Sequence, residues 1–331
     1  MSVKSVHASS RRSRNARRTL VLGGTLDARA QPATNVRRIG ILESDSNQGP
    51  ADWRQLWATV GALGWIEGHN LVVEHRNAGG KPELLRRYAE ELVRLKLEII
   101  GTGGTIATIA ARNATTRIPI VMIGADDPVR DGLVASLARP GANITGFSVG
   151  AELSAKRLEL LRELLPSAQR IGYLQDSSYP PTEMARQQRE LRYRSFGMQP
   201  IIVEVAAASE LESAVAEVAR RSAQALQVSG GLFYTNRVPL ARAALRHELP
   251  TVFWARAFVE DGALLSFGHD SAENDRIFAY FVDKILRGAK PADLPIQQPS
   301  KFALSINLKT AKALGITVPP SLLQRADEVI Q

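Results

Sequence analysis

Residues 97–124 read LEIIGTGGTIATIAARNATTRIPIVMIG. Two short apolar runs, 97–101 and 118–124, enclose a segment that opens near Gly104 and carries the pattern of a helix. An extended run of Ile, Val and Leu without polar alternation is buried on both faces, and a helix between two such runs is the crossover of a parallel strand pair. This stretch predicts a strand–helix–strand unit.

The same alternation extends in both directions. Upstream, residues 36–42 (VRRIGIL) and 71–76 read as strands, with helices over 52–63 and 82–95. Downstream, strands are expected over 143–148, 169–174, 199–205, 225–228, 250–254, 263–267 and 302–307. Helices fall over 152–165, 181–196, 209–223, 238–247 and 274–287, and a helical stretch closes the chain. With 331 residues the chain is about twice the usual domain size, so two lobes are the default. The expected fold is α/β, two doubly wound parallel-sheet lobes.

In such sheets ligands bind beyond the carboxyl ends of the strands. That rule selects the loops after Leu42, Gly101, Gly124, Leu174, Val228 and Trp254. The candidate ligand-binding residues there, with one more after the 263–267 strand, are Glu43, Asp45, Thr102, Thr105, Asp126, Asp127, Gln175, Asp176, Ser229, Trp254 and His269. Thr102 and Thr105 flank a Gly-Gly turn at a helix start, where free amides suit a carboxylate or the threonines act as plain caps. Asp126 and Asp127 suit an ammonium group, although Asp-Pro is also ordinary turn chemistry. Trp254 offers an apolar wall or simply core packing.

Composition narrows the function classes. The net charge of +9 is concentrated in residues 1–30, which hold seven Lys/Arg against Asp27 alone. The remainder has 35 basic and 32 acidic residues, so no phosphate-tracking surface and no nucleic-acid partner are expected. The basic stretch ends in Arg17-Arg18, an apolar run Leu20-Val-Leu-Gly-Gly24 follows, and Ala28-Arg-Ala30 provides small residues for a peptidase. Residues 1–30 therefore read as a Sec- or Tat-type signal peptide cleaved after Ala30, with a disordered basic tail as the alternative. There is no cysteine, which excludes disulfides and thiolate metal sites. The five histidines lack metal-ligand spacing, and no cofactor is expected.

Gly101-Thr-Gly-Gly104 lacks the third glycine of a dinucleotide fingerprint, since position 106 is Ile. Gly146-Phe-Ser-Val-Gly150 matches G-x-S-x-G after a strand. A serine hydrolase using Ser148, with Asp261 and His269, is therefore the enzymatic alternative to a non-catalytic binding protein. A cytosolic sensor of the same fold is a third reading, but no DNA-binding module precedes Val36.

Several blocks carry a family likeness. They are Leu63-Gly-Trp-Ile-Glu-Gly-His-Asn70, Ile118-Pro-Ile-Val121 leading to Asp127-Pro-Val129, and Gly132-Leu-Val-Ala-Ser-Leu-Ala-Arg-Pro-Gly-Ala-Asn-Ile-Thr-Gly146. Asp261-Gly-Ala-Leu-Leu-Ser-Phe-Gly268, Ile285-Leu-Arg-Gly-Ala-Lys-Pro-Ala-Asp-Leu-Pro295 and Ile306-Asn-Leu-Lys-Thr-Ala-Lys-Ala-Leu-Gly315 follow in order. Over residues 36–331 the chain resembles the ABC transporter substrate-binding proteins of the tryptophan-binding-like family, with a type I periplasmic binding fold. The resemblance implies three crossings between lobes, near Phe147, Phe267 and Pro299. Lobe one would be 36–146 plus 269–298, and lobe two 147–267 plus 300–331. It further implies a periplasmic monomer without enzymatic activity, which captures a small solute and delivers it to an ABC permease and its ATPase subunits. Members with known ligands bind aromatic amino acids. The chain departs from many relatives at Ser229-Gly-Gly-Leu-Phe-Tyr-Thr-Asn236, where those carry an acidic residue.

Overall fold

In chain order the first elements are β1 (Arg37–Glu43), α1 (Pro50–Gly61), β2 (Leu71–Asn77), α2 (Pro82–Arg94), β3 (Ile99–Gly103), α3 (Gly104–Ala114), β4 (Ile120–Ala125) and β5 (Ile144–Ser148). These strands form one parallel sheet in the order β2-β1-β3-β4-β5. The computed structural model describes residues 36–44, 50–79, 81–125, 127–150, 152–177, 180–181 and 183–331. The leader, Asp45 and Asp126 lie outside the described residues.

The near-continuous apolar strands bury both faces of this sheet, as a crossover-connected parallel sheet requires. Ile39, Ile41, Ile99, Val121 and Phe147 face one side, and Leu42, Ile100, Ile120, Met122 and Ile144 the other. Helices α2 and α3 cover the second side through Leu85, Ala89, Leu92, Ala107 and Ala111.

The chain then continues as α4 (Glu152–Leu164), β6 (Arg170–Asp176), α5 (Glu183–Ser195), β7 (Gln199–Val205), α6 (Leu211–Arg220), β8 (Ala225–Ser229), α7 (Gly231–Thr235) and α8 (Arg237–Arg246). After these come β9 (Val252–Phe253), α9 (Arg256–Glu260), β10 (Leu265–His269) and α10 (Ser271–Leu286). The last elements are β11 (Phe302–Asn307), α11 (Leu308–Ala313), α12 (Pro320–Arg325) and β12 (Glu328–Ile330). The second lobe holds a three-stranded sheet, β7-β6-β8, and a four-stranded one, β12-β11-β10-β9. A parallel bridge between Leu226 and Thr251 joins them.

Helix α10 belongs to the first core, although the second lobe separates it from β5 in the chain. Its Phe278, Phe281 and Val282 are buried with Ile39, Ile41 and Phe147. Each such side chain contributes about 1.5–3 kcal/mol on burial, whereas closing a longer loop costs only about 0.6 kcal/mol per doubling of length. Packing therefore outweighs the detour.

The fold is two doubly wound lobes joined by a three-crossing hinge. The first connection follows Ser148, the second leaves His269, and the third follows Gln297. Backbone bonds hold them side by side: Ser148 N donates to Gln297 O at 2.9 Å, Gln297 N to Gly146 O at 3.0 Å, and Asp270 N to Lys301 O at 3.1 Å. One strand departs from the all-parallel expectation. β11 runs antiparallel to β10, with His269 opposite Phe302. The reason is the hinge itself: β10 runs towards it and β11 returns from it, so the two neighbours point in opposite directions.

Other departures are local. β3 spans Ile99–Gly103 rather than 97–101, so Thr102 lies in the strand, opposite Leu42. The strand expected over 250–254 shrinks to Val252–Phe253, and the C-terminal stretch ends in a short strand, β12, paired with β11.

Candidate functional site

Strand order decides where a ligand sits. In the first sheet the crossovers leave β1 in opposite directions, to β2 on one side and β3 on the other. The crevice therefore opens at the carboxyl ends of β1 and β3. In the second sheet the same reversal occurs at β6, between β7 and β8.

At the first switch point Glu43 ends β1 and is 4% exposed. Asn77 Nδ2 donates to its Oε2 at 3.2 Å, and His75 Nε2 lies 3.0 Å from the same oxygen. Register explains the cluster: Glu43 pairs with Asn77 on β2, and His75, two residues earlier, faces the same side. Trp53 of α1 sets its ring against His75 at 4.5 Å and stacks on Trp57 at 6.0 Å.

Beside Glu43, α3 begins at Gly104, with Gly103 as its N-cap and no side chain capping it. Half-buried Thr105 lies in the first turn of that helix. The role suggested for Thr102 as a loop hydroxyl meets a different geometry. Thr102 is fully buried, and its Oγ1 lies 2.7 Å from Thr108 Oγ1. Thr108 spends its proton on Gly104 O at 2.8 Å, so Thr102 is the donor of that pair. Its hydroxyl braces the turn from below. Asp127 also works locally: its Oδ1 accepts from Arg130 N at 3.0 Å, as a turn-forming aspartate does.

At the second switch point Asp176 ends β6 and is 1% exposed. Its Oδ2 accepts from Leu232 N in the first turn of α7 at 3.3 Å. Gln175 Nε2 donates to Asp176 O at 3.2 Å, and Ser229, the last residue of β8, is the register partner of Gln175. Sequence reasoning missed Arg189. It reaches from α5 to donate to Gln175 Oε1 at 2.8 Å, with its guanidinium 4.6 Å from the centre of the Tyr173 ring. The polar run of α5 (EMARQQRELRYRS) gave no sign that one of its arginines is buried. Nearby, Tyr193 donates to Gln227 Oε1 at 2.5 Å, and burial pushes its hydroxyl well above the ordinary tyrosine pKa, so it stays a donor.

Glu43 and the α3 turn thus gather at one switch point, and Gln175, Asp176 and Ser229 at the other. Trp254 and His269 make contacts of other kinds. Trp254 packs edge-on against Phe258 at 4.8 Å, at the margin of the lobe-two core. His269 is a hinge residue: its Nε2 lies 2.9 Å from Val149 O of the first crossing, and its ring lies against Phe302 of the third.

Burial, opposed by the Val149 contact and the charge of Glu273, holds the His269 pKa below its ordinary 6.5. An unfolded chain therefore takes up a proton near pH 6.5 that the folded chain refuses, so this contribution is full above 6.5 and is lost as pH falls through the lower folded value. Thermal melts of the protein should show a falling melting temperature between pH 7 and 5, with a flatter slope in His269→Gln. Identical slopes would refute this role. The depressed carboxylates Glu163, bonded to Ser321 and Arg325, and Glu212, bonded to Arg246 and His247, act only below their ordinary 4.5.

The hydrolase reading fails on geometry. Ser148 is 2% exposed, and its Oγ accepts from Gly150 N at 3.4 Å. His269 turns its Nε2 to Val149 O, and Asp261 pairs with Arg237 at 2.6 Å. The first glycine of the motif has a packing role: at Gly146 φ is +128°, and a Cβ would lie 2.3 Å from Met122 O. Among the described residues no cluster of three metal-ligating side chains occurs, and no helix is long and apolar enough to cross a membrane.

The family model for ABC transporter substrate binding proteins matches residues 56–330. A tyrosine-binding protein of Clostridioides difficile is 26% identical over 253 residues, covering 76% of this chain and 73% of that protein. The crystal structure of a conserved domain protein from Vibrio cholerae superposes with a TM-score of 0.81 at 26% identity, covering 89% of this chain and 99% of the other. An ABC domain from Streptococcus pneumoniae in complex with L-Trp gives 0.79 at 24% identity, covering 89% of this chain and all of the other. With a two-lobed binding fold, polar clusters at both switch points and a family match over most of its length, the chain belongs to the ABC transporter substrate-binding proteins.

Proposed function

We propose that this protein is the periplasmic solute-binding component of an ABC importer and that it captures an aromatic amino acid between its lobes. The observation that carries the reading is the pairing of chemistries at the two switch points. The α3 first turn supplies donors for a carboxylate, and buried Asp176 supplies an acceptor for an ammonium group. Trp53, set against His75, provides flat apolar surface near Glu43. The tyrosine-binding protein of C. difficile and the L-Trp complex of the S. pneumoniae domain support the same solute class. An aromatic acid without the ammonium group is the second reading, since only the Asp176 contact distinguishes the two.

The lobes in this reading are residues 36–146 with 269–298, and 147–267 with 300–331. The protein acts as a monomer, and it hands its solute to a permease and its ATPase subunits. A ligand that binds only the folded state at a hundred times its Kd stabilises it by about 2.7 kcal/mol. A thermal-shift screen should therefore raise the melting temperature with L-tyrosine or L-tryptophan. Benzoate alone raising it would favour the second reading, and no shift with any of the three would refute both. Loss of labelled-solute uptake in cells lacking this chain tests the import direction.

Export is part of the proposal, resting on Arg17-Arg18 and Ala28-Arg-Ala30. N-terminal sequencing of the native periplasmic protein should begin at Gln31. A chain that retains Ser2 would contradict it.

A further inference from the structure

Arg189 is 9% exposed, and among the described residues it has no ion-pair partner. Its η nitrogen bonds Gln175 and its face lies on Tyr173, but its Nε is buried without a hydrogen-bond partner. A second orphan lies on the same face. Gln227 is the register partner of Tyr173, its oxygen is taken by Tyr193, and its Nε2 is buried without a partner. Both orphans are donors. Buried polar groups are almost always satisfied, and a buried cation is costly unless paired, so two unserved donors on one face point to an anionic acceptor supplied from outside the chain.

Direction supports the same conclusion. Helix α5 follows β6, so its N-terminus lies at the carboxyl end of that strand. Long helical side chains lean towards the helix N-terminus, and Arg189 reaches Gln175, the next-to-last residue of β6. Asp176 stands on the opposite face of that strand, where it serves Leu232 N.

We propose that Arg189, with Gln175 and Gln227 beside it, is the lobe-two receptor for the ligand's carboxylate. This rests on the amino-acid reading of the cleft and deepens it. A carboxylate accepts several hydrogen bonds, so one anion can engage the α3 turn of lobe one and the Arg189 fork of lobe two together. An anion held by both lobes binds the closed form better than the open one, which is what closure requires.

The test follows the Arg189 Nε–H resonance in nitrogen-15-labelled mature protein, assigned by its loss in Arg189→Lys, while L-tyrosine or sodium formate is added. L-Tyrosine should shift it saturably. Arg189→Lys and Arg189→Gln should weaken L-tyrosine by roughly ten- to a hundredfold and change tyramine, which lacks the carboxylate, less than about threefold. Both variants lose the Gln175 and Tyr173 contacts, so a lower melting temperature without ligand is expected of either role, and the split between L-tyrosine and tyramine carries the test.

L-Tyrosine binding with the resonance unmoved, or variants that bind it as tightly as the parent, would overturn the receptor and leave the amino-acid reading intact. A saturable formate shift without L-tyrosine binding would support the receptor and sink that reading. No shift with either probe would overturn the receptor. Should the variants fail to fold, the parent titration alone decides.

Discussion

Gly268→Ala should abolish stable folding of the protein, with a loss of about 4 kcal/mol or more. A Cβ built on Gly268 lies 1.7 Å from the carbonyl oxygen of Trp254 and 2.9 Å from its carbonyl carbon. These are backbone atoms, so no rotamer change relieves the overlap. The constraint also comes from both sides. β9 pairs with β10 through Leu265 and Ser266, and β11 pairs with its other edge, with Gly268 opposite Ala303. Shifting the strand breaks one ladder or the other, and losses of this size arise from such unavoidable overpacking. Because β10 leads directly into the hinge, the damage reaches the connection between the lobes. Urea unfolding followed by circular dichroism measures the effect. A midpoint within about 1 kcal/mol of the parent would show that the β9–β10 approach is looser than described.

Asp176→Ala should weaken L-tyrosine binding by roughly ten- to a hundredfold, because a charge-assisted contact to the ligand ammonium is worth about 1.5–3 kcal/mol. It should also cost about 1 kcal/mol of stability without ligand, since Leu232 N loses its acceptor. A site read from sequence as a surface loop would carry no such cost; the 1% exposure of Asp176 is what adds it. Asp176→Asn separates the two effects. It keeps an oxygen for Leu232 N and removes the charge, so binding should fall as in the alanine variant while the melting temperature stays near that of the parent. Calorimetry and thermal melts on both variants check this. Undiminished L-tyrosine affinity in both would remove Asp176 from the site and the ammonium from the ligand description.

The alternation of strands and helices was legible because parallel strands buried on both faces read as unbroken apolar runs, as in residues 118–124. The hinge was legible only through the likeness of separated blocks, since no periodicity reveals that α10 returns to the first core. Short elements escaped notice: α7 and α9 hold five residues each, and β12 exists because β11 offers it an edge. Gly146 also fits the alternative of a nucleophile turn in sequence, yet its backbone conformation and the nearness of Met122 account for it.

The candidate site was legible as a set of strand ends and much less as individual roles. Glu43, Gln175, Asp176 and Ser229 lie at switch points because strand order, which sequence does not state, puts β1 beside β3 and β6 beside β8. Thr102 is the next-to-last residue of its strand, where β-branched side chains pack well, and its hydroxyl turns inward. Arg189, Trp53 and His75 escaped notice for a common reason. Each owes its position to a contact across elements: Arg189 to Tyr173 and Gln175, Trp53 to His75, and His75 to the register of β2 on β1.

The most direct test of the whole account is a crystal structure of the mature chain grown with L-tyrosine or L-tryptophan. The amino acid should lie between the carboxyl ends of β1 and β3 on one side and β6 and β8 on the other, with its ammonium at Asp176 and its carboxylate at the α3 first turn. A ligand bound elsewhere on the protein, or the reverse orientation in the cleft, would contradict it.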